Sequence, residues 1–423
     1  GRHARHGKQS PKSIEKSLED LAHSAHLSNM LRRLEITPKG LLHVIHETIL
    51  AELSWEYLAT AAVKVAASTG ADYLHPEHVL GGILLHPRMQ TELRRIDLTE
   101  EDIQFNLWWK TNRRLLEKYR ARWWDSERML AFTGIGLSWA SGFTPLVDKF
   151  ARLPQGNVWD DVLFGHEEKV DELINTLARQ RQSNVLLVGD PGVGRIGIIR
   201  ELSRRIVNGQ AHPDLVGQRL LYINVGELVA VGGTGAGQLS VVSQALREME
   251  RSGDIVAVID GLSTILGGTG ESGVNLTDIL LPFLSSPTVR VVVITSTEEY
   301  HLRLKSNQEL IHYFEAVQVP SLSIEATMKR VALTIPPVER SAHLFTPYKT
   351  IRTLVNDTAS IMPQIPFPER AYDFLEEAIV LAQNEKAKLL EDRHVHAVIQ
   401  HKIGINLGAM RGNEREKLLN LRR

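Results

Sequence analysis

A glycine-rich segment of the chain has the spacing of a phosphate-binding loop. The apolar run Val185–Val188 leads directly into it. A loop of this kind, between a buried strand and a helix, directs backbone N–H groups and the helix N-terminus at an anion. The spacing therefore predicts a polyphosphate site whose candidate binding residues are Gly189, Asp190, Pro191, Gly192, Val193, Gly194, Arg195 and Ile196.

Two positions of this loop depart from the motif's usual chemistry. Arg195 stands where the motif has Lys, and Ile196 stands where it has Ser or Thr. Lys reaches the β- and γ-phosphates as a compact point charge, whereas Arg is a longer planar fork that must lie differently. Because Ile196 has no hydroxyl to offer a metal ion, the sequence predicts ATP or ADP as ligand and supports Mg²⁺ only weakly.

A second candidate residue follows another apolar run. Ile255–Ile259 ends in Asp260, and the next residue is Gly261. In phosphate-loop nucleotidases a carboxylate at this strand end holds Mg²⁺, and an acidic neighbour commonly polarises the attacking water. Loss of a positioned general base lowers a rate by about 10² to 10⁴. Asp260 is thus a remnant of a magnesium position, or simply a polar residue that ends a buried strand.

The elements that position these residues alternate between strand and helix. Continuous apolar runs predict buried parallel strands, with helices on both faces of the sheet. After Pro320 the pattern is wholly helical, which predicts a helical lid. The predicted strands are 184–188, 219–225, 255–259 and 289–295, the sheet helices include 196–208 and 238–251, and the lid helices are 324–333, 350–360, 368–384 and 392–401.

Composition narrows the class of protein. Among 423 residues, 49 are basic and 50 acidic, so no nucleic-acid partner is expected. The absence of Cys excludes disulfides and Cys-based zinc sites, and no apolar run of about 18 residues occurs. We expect a cytoplasmic location and leave open an upstream membrane anchor. The aromatic and basic segment 108–124 is interpreted as a helix with buried Trp and solvated charges, rather than as a membrane or single-strand-binding surface.

Several sequence segments resemble the Clp-type AAA+ unfoldases and occur in the same order as in that family. The resemblance covers the family's amino-terminal domain and the first of its two ATPase rings. These segments are 73–84, 143–151, 164–168, the loop 189–196, 365–378 and 402–419. The resemblance implies that Phe164 and Gly165 lie in the element packing on adenine. It also implies that the γ-phosphate-sensing residue survives as Thr295 or one of the two residues after it.

The resemblance implies an α/β fold in which a helical amino-terminal domain precedes a phosphate-loop AAA+ domain with a helical lid. It further implies a homo-oligomer, as a hexameric ring, with a protein substrate or adaptor at the amino-terminal domain and a protease partner. The expected divisions are a basic flexible arm (1–35), the helical domain (36–120), a linker (121–158), the large subdomain (159–335), the lid (336–402) and a connector (403–423) to a second ATPase domain.

The departures from the family decide the expected function. Family members carry Lys-Thr in the loop, Asp-Glu at the second motif and paired arginines before a Phe. This chain has Arg195-Ile196, Asp260-Gly261 and the sequence Leu-Ile-His-Tyr-Phe at 310–314. Because an arginine finger is worth about 10³ to 10⁵ in rate, we expect a nucleotide-binding, hydrolysis-deficient ring that serves assembly, docking or regulation. The alternatives are a slow but active ATPase and a nucleotide-free scaffold or adaptor-binding module.

Overall fold

The structure is a computed structural model. It describes residues 11–121, 144–152, 164–180, 182–224, 227, 236–261, 276–286, 288–305 and 307–403. These residues form two compact units. One takes its residues from Gly1–Ala121, Val331–Ser360 and Asp373–Arg423, and the other from Arg122–Arg330 and Ile361–Tyr372.

The amino-terminal part of the first unit is helical. Side-chain caps begin several of its helices; for example, Thr37 accepts a hydrogen bond from the Gly40 N–H and Ser54 accepts one from the Tyr57 N–H. Its helices are α1 (Pro11–Ala22), α2 (Ala25–Arg33), α3 (Pro38–Thr48), α4 (Trp55–Ser68), α5 (Pro76–Leu84), α6 (Pro87–Arg95) and α7 (Glu100–Ala121).

The prediction of a flexible arm over residues 1–35 is wrong where the structure describes it. Helices α1 and α2 occupy most of that stretch, and they bury Ile14, Leu18 and Leu27 in the same core as Leu41 and Ile45. Spacings of three to four residues between apolar side chains place them on one helix face, and this outweighs the basic composition. Residues 1–10 lie outside the described part of the chain.

The second unit is built on a six-stranded sheet in the order β1-β3-β4-β5-β2-β6. All neighbouring strands are parallel except β1, which pairs antiparallel with β3. In chain order its elements are α8 (Pro145–Phe150), β1 (Ala151–Arg152), α9 (Glu167–Leu177), β2 (Asn184–Val188), α10 (Arg195–Val207), β3 (Arg219–Asn224), α11 (Ala236–Ser252), β4 (Ile255–Asp260), α12 (Leu276–Leu284), β5 (Arg290–Thr295), α13 (Thr297–Glu299), α14 (Gln308–Ile311) and β6 (Phe314–Gln318).

The sheet is buried on both faces, which explains its continuous apolar strands. Along β2, Leu186 and Val188 belong to one core cluster, whereas Val185 and Leu187 belong to the other. Because successive side chains point to opposite faces, both clusters draw on every central strand. Complete burial of one such side chain stabilises the fold by about 1.5–3 kcal/mol. The predicted α/β fold with a parallel sheet is therefore confirmed.

Two strands were missed by the sequence pattern. Strand β6 buries only Phe314 and Val317 of its five residues, and it pairs with β2 at the edge of the sheet. Strand β1 is two residues long, too short for a periodic signal. Together with α8 it occupies part of the stretch predicted as a linker, so the linker prediction is wrong for residues 145–152.

The carboxyl-terminal helices are α15 (Ile324–Ala342), α16 (Tyr348–Ala359), α17 (Glu369–Asn384) and α18 (Asp392–Ile403). The helices predicted after Pro320 are confirmed. The predicted boundaries separate a lid from the amino-terminal helices, whereas residues 331–360 and those from Asp373 onward share one compact unit with α1–α7. No helix in the described ranges is long and apolar enough to cross a membrane.

A buried ion pair joins α2 to α15 inside this unit. Arg33 donates two hydrogen bonds to Glu339, with Nη1–Oε1 at 3.0 Å and Nη2–Oε2 at 2.7 Å. Its Nη1 also donates to the Thr346 carbonyl oxygen at 2.7 Å, and its guanidinium lies 4.0 Å from the centre of a Trp109 ring. Because Trp109 is almost fully buried, the predicted burial of a Trp in segment 108–124 is confirmed at this position. Residues 122–124 lie outside the described ranges.

Asp102 connects α7 to α16 in the same unit. Its carboxylate accepts a hydrogen bond from the Tyr348 hydroxyl at 2.6 Å and one from Arg352 Nη1 at 2.8 Å. The carboxylate is also bonded within its own turn, by the Thr99 backbone N–H at 2.8 Å. A buried carboxylate held by this many donors is the kind of group that fixes the register of two helices.

Candidate nucleotide-binding site

The loop after β2 has a backbone that requires glycine. Gly192 and Gly194 have φ angles of +90° and +98°, in the left-handed region that other residues rarely enter. Gly194 is the residue immediately before α10, so the loop opens directly into the helix N-terminus. A Cβ at Gly189 would lie 2.9 Å from the Val319 carbonyl oxygen, which leaves no room for a side chain. The predicted loop from Gly189 to Ile196 thus has the left-handed glycines and the helix start that its sequence pattern requires.

Two carbonyl groups of the loop are held from outside it. The Gly192 oxygen accepts a hydrogen bond from the Glu369 N–H at 3.4 Å, and the Val193 oxygen lies 3.0 Å from His166 Nε2. In a trans peptide the C=O and the following N–H point in opposite directions. Fixing the Val193 carbonyl toward His166 therefore turns the Gly194 N–H the other way, beside the amides that begin α10.

His166 is a site residue that the sequence did not single out, although it follows Phe164 and Gly165. It is buried, and burial lowers the pKa of its imidazole despite the hydrogen bond to Val193. Gly165 has φ +87°, and Leu322 Cδ2 lies 2.7 Å from the position of a Cβ there. Phe164 is half-buried, with the Lys329 ammonium 5.7 Å from its ring centre. The element predicted to pack on adenine thus reaches the loop through His166.

Asp260 lies at the carboxyl end of β4, and its carboxylate is engaged by a neighbouring strand. The Tyr222 hydroxyl, on β3, donates a hydrogen bond to Asp260 Oδ2. Burial, followed by the carboxylate of Asp260, raises the pKa of Tyr222, so the phenol stays protonated and remains a donor. This contact could not be predicted from the sequence, because Tyr222 precedes Asp260 by 38 residues.

Arg195 is the first residue of α10 and is half-buried among acidic groups. Burial lowers the pKa of its guanidinium, while Asp260, Glu299 and Asp190 act in the opposite sense, with Asp260 the strongest of the three. Arginine stays protonated in proteins even so. The charge of Arg195 therefore interacts favourably with the carboxylate that, in working nucleotidases, faces the metal.

Thr295 ends β5 next to the loop, and it is buried. Its backbone carbonyl accepts a hydrogen bond from the Gly189 N–H at 3.1 Å. Its hydroxyl lies 3.4 Å from Glu299 Oε2 and 3.4 Å from the Ser296 carbonyl oxygen. Thr295 is therefore placed beside the phosphate loop, with its hydroxyl directed to its own turn.

Arg330, on α15, is a further cation at the loop that sequence reasoning missed. Its side chain is almost fully buried, and Nη1 lies 3.0 Å from where a Cβ on Gly194 would stand. Nε donates to the Tyr372 hydroxyl at 3.3 Å. The available signal was an Arg on the helix face that also carries Thr327, Val331 and Thr334, all of which are buried.

Residues 310–314, which stand at the position of the family's arginine finger, include no arginine. Leu310 and Phe314 belong to a buried apolar cluster, and only His312 between them is exposed. The acidic neighbour of the second motif is likewise replaced by Gly261, whose φ of +76° would strain any side-chain-bearing residue.

The residues present fit a polyphosphate better than they fit Mg²⁺. The glycine cradle, the helix N-terminus and the two guanidinium groups suit a phosphate chain. Mg²⁺ needs oxygen ligands in near-octahedral geometry, but Ile196 and Gly261 offer no side-chain oxygen and Asp260 already accepts a hydrogen bond from Tyr222. The donor set is therefore not that of a magnesium site.

Comparison with known proteins shows which proteins this chain is similar to. Homology to AAA+ chaperones of the Clp/Hsp104 family covers about half of this chain, and the fold is Hsp104-like. The chain is 28% identical to the chaperone protein ClpB of Aquifex aeolicus over 232 residues, which are 54% of this chain and 23% of that protein. It is 28% identical to the ATP-dependent Clp protease ATP-binding subunit ClpC of Staphylococcus saprophyticus over 45% of this chain and 24% of that protein.

Among solved structures, the S. cerevisiae Hsp104-ADP complex matches with a TM-score of 0.57 and 22% identity, over 65% of this chain and 48% of the other. No protein-family model matches the chain. The matched region thus spans about a quarter of the curated relatives' length and about half of the solved chain.

Proposed function

We propose that this chain binds ATP or ADP at the loop Gly189–Ile196 and hydrolyses it poorly or not at all. One observation carries the proposal. The loop keeps the left-handed glycines and helix start of a phosphate cradle, while the Tyr222 hydroxyl bonds the carboxylate of Asp260. The loop backbone supports phosphate binding, and Gly261 offers no carboxylate to activate a water.

Each part of the loop has a distinct task in this proposal. The amides around Gly194 and the start of α10 bind phosphate oxygens, and His166 and Glu369 orient those amides by holding the carbonyls of Val193 and Gly192. Arg195 supplies charge-assisted hydrogen bonds in place of the usual Lys. No carboxylate follows Asp260 to polarise a water, so bound nucleotide persists and stabilises the fold by mass action.

The wider role rests on the homology. We propose a first ATPase ring of a Clp-like unfoldase or chaperone, assembled as a hexamer, in which nucleotide serves assembly, docking or regulation. A protein substrate or adaptor would bind through the amino-terminal helices, and the likeness to a subunit named for the Clp protease supports a protease partner. Unfolding work would fall to a second ATPase domain.

Calorimetric titration of the chain with ATP and ADP, combined with a phosphate-release assay, tests this proposal. The control is Gly194→Asp, because that position has φ +98° and lies against the Arg330 guanidinium. Saturable binding with no phosphate release above the control supports the proposal. Release above the control supports the slow ATPase instead, and absence of binding supports a nucleotide-free scaffold or adaptor-binding module.

A further inference from the structure

We infer that this pocket takes its nucleotide as the free polyphosphate anion, without Mg²⁺, and that the Arg195 and Arg330 guanidinium groups supply the countercharge. The inference rests on the proposed nucleotide binding and adds which chemical form is bound. It follows from three features of the described site. Two positions that would supply metal ligands carry no oxygen, the remaining carboxylate of Asp260 already accepts a hydrogen bond, and two guanidinium groups lie near the start of α10.

The first feature is the set of oxygen donors. A protein site for nucleotide-bound Mg²⁺ supplies one or two oxygens at fixed positions and leaves the others to water and phosphate. Ile196 and Gly261 occupy two of the positions where such oxygens would stand, and neither carries one. The Gly261 backbone is in the left-handed region, so an acidic residue at that position would be strained as well as absent.

The second feature is the state of Asp260. One of its oxygens accepts a hydrogen bond from the Tyr222 hydroxyl. In a magnesium site, that oxygen would accept a hydrogen bond from a metal-bound water instead. The permanent positive charge of the Arg195 guanidinium also attracts the Asp260 carboxylate. A dication approaching Asp260 would have to displace one donor and tolerate a neighbouring cation.

The third feature is the pair of guanidinium groups at the helix start. Arg195 is the first residue of α10, and Arg330 Nη1 lies 3.0 Å from the Cβ position of Gly194 on the preceding residue. Arg195 can offer its guanidinium fork to phosphate oxygens, whereas the almost fully buried Arg330 acts on them through its charge. Together they supply two positive charges, the same number that Mg²⁺ would bring.

Calorimetric titration of the full chain with ADP, in excess MgCl₂ and separately in EDTA, tests the inference. We expect ADP to bind at least about threefold more weakly in excess MgCl₂ than in EDTA, because Mg²⁺ removes the free anion from solution and no protein ligand offsets that loss. An affinity in MgCl₂ equal to or higher than that in EDTA would overturn the inference while leaving the proposed function intact. Absence of saturable binding in both buffers would contradict the proposed function as well.

Asp260→Asn gives a second measurement whose sign differs between the two models. Without a metal, removing this negative charge should tighten ADP binding severalfold, because Arg195 is released and repulsion of phosphate falls. If Asp260 held Mg²⁺, the same change would weaken binding in MgCl₂, and that result would overturn the inference. The matched control is Asp254→Asn, just before the opposite end of β4, where the carboxylate pairs with Arg219 and we expect no change in ADP affinity.

Discussion

The Tyr222 hydroxyl donates a hydrogen bond to Asp260, and this contact joins the ends of two parallel strands at the candidate site. Strand β3 supplies the donor and strand β4 the acceptor, within the same buried layer of the sheet. The positive charge of Arg195 also attracts this carboxylate. The negative charge of Asp260 is therefore partly offset before any ligand binds.

Tyr222→Phe removes this hydrogen bond and leaves the ring in place. We expect the free energy of unfolding to fall by about 1.5–3 kcal/mol, the range for a hydrogen bond to a charged partner, and toward the lower end because both groups are only partly buried. Urea denaturation measures the change. Tyr313→Phe is the control, since its ring is also half-buried but packs on the other of the two apolar clusters of the sheet, and equal losses for both variants would contradict the assigned contact.

Alkaline pH should destabilise the chain through two tyrosines. Burial and an adjacent carboxylate raise the pKa of Tyr222, beside Asp260, and that of Tyr348, beside Asp102. A phenol whose folded pKa is raised contributes stability below its unfolded pKa, about 10, and loses it as pH rises further. Urea midpoints should therefore drop above about pH 10 in the parent and drop less in Tyr348→Phe. The exposed Tyr73 provides the control, and a Tyr73→Phe variant that flattens the profile equally would contradict the assignment.

The double variant Arg195→Lys, Ile196→Thr should make nucleotide binding depend on Mg²⁺. The substitution at 196 adds the hydroxyl that the motif uses for the metal, and Lys withdraws the broad guanidinium from Asp260. We expect ADP affinity in MgCl₂ to exceed that in EDTA by about tenfold, measured by calorimetry. Phosphate release should stay near background, because Gly261 and the buried Leu310 still supply neither a base nor an arginine finger. Restored turnover would show that the loop alone limits catalysis.

Two buried histidines should stay neutral in mildly acidic solution. Burial lowers the pKa of His166, at the phosphate loop, and that of His78, in α5. A histidine with a lowered folded pKa contributes stability above its unfolded pKa, about 6.5, and that contribution is lost as pH falls through the folded value. Two-dimensional NMR of the imidazole nitrogens should show both rings uncharged at pH 6. A protonated His166 at that pH would contradict the burial of the ring.

The central sheet could be predicted from the sequence, and the reason is physical. Strands such as Val185–Val188 are buried on both faces, so every residue must be apolar and the run is visible without any partner. The loop glycines were equally readable, because Gly192 and Gly194 must adopt φ angles that other residues avoid. Constraints of this kind restrict the residue type at single positions, so the sequence alone is enough to predict them.

The contacts that define the site's chemistry could not be predicted in the same way. Tyr222 meets Asp260, and His166 meets Val193, only because the sheet brings distant segments together. Arg330 lies on a helix read simply as part of the lid. The basic composition of residues 1–35 was misleading for the opposite reason: a few apolar residues at helical spacing, such as Ile14 and Leu18, decide the structure and the charges do not.

The ion pair between Arg33 and Glu339 should dominate the stability of the first unit. Both groups are shielded, with exposed fractions of 4% and 14% for their side chains, and burial lowers the pKa of Arg33 more than Glu339 raises it. Removing one partner of a buried pair leaves an uncompensated charge and typically costs about 3–5 kcal/mol. We expect losses of that size for Arg33→Met and Glu339→Leu, measured by urea denaturation.

The double variant distinguishes a true pair from two independent packing losses. If the charges compensate one another, Arg33→Met with Glu339→Leu should be less destabilising than the sum of the single changes by at least about 1 kcal/mol. Arg33→Lys should recover only part of the stability, because Lys keeps the charge but loses the bidentate fork and the stacking on Trp109. Arg340→Met, an exposed neighbour on α15, should change stability by no more than about 0.5 kcal/mol. Strict additivity of the single losses would show that α2 and α15 are held by packing alone.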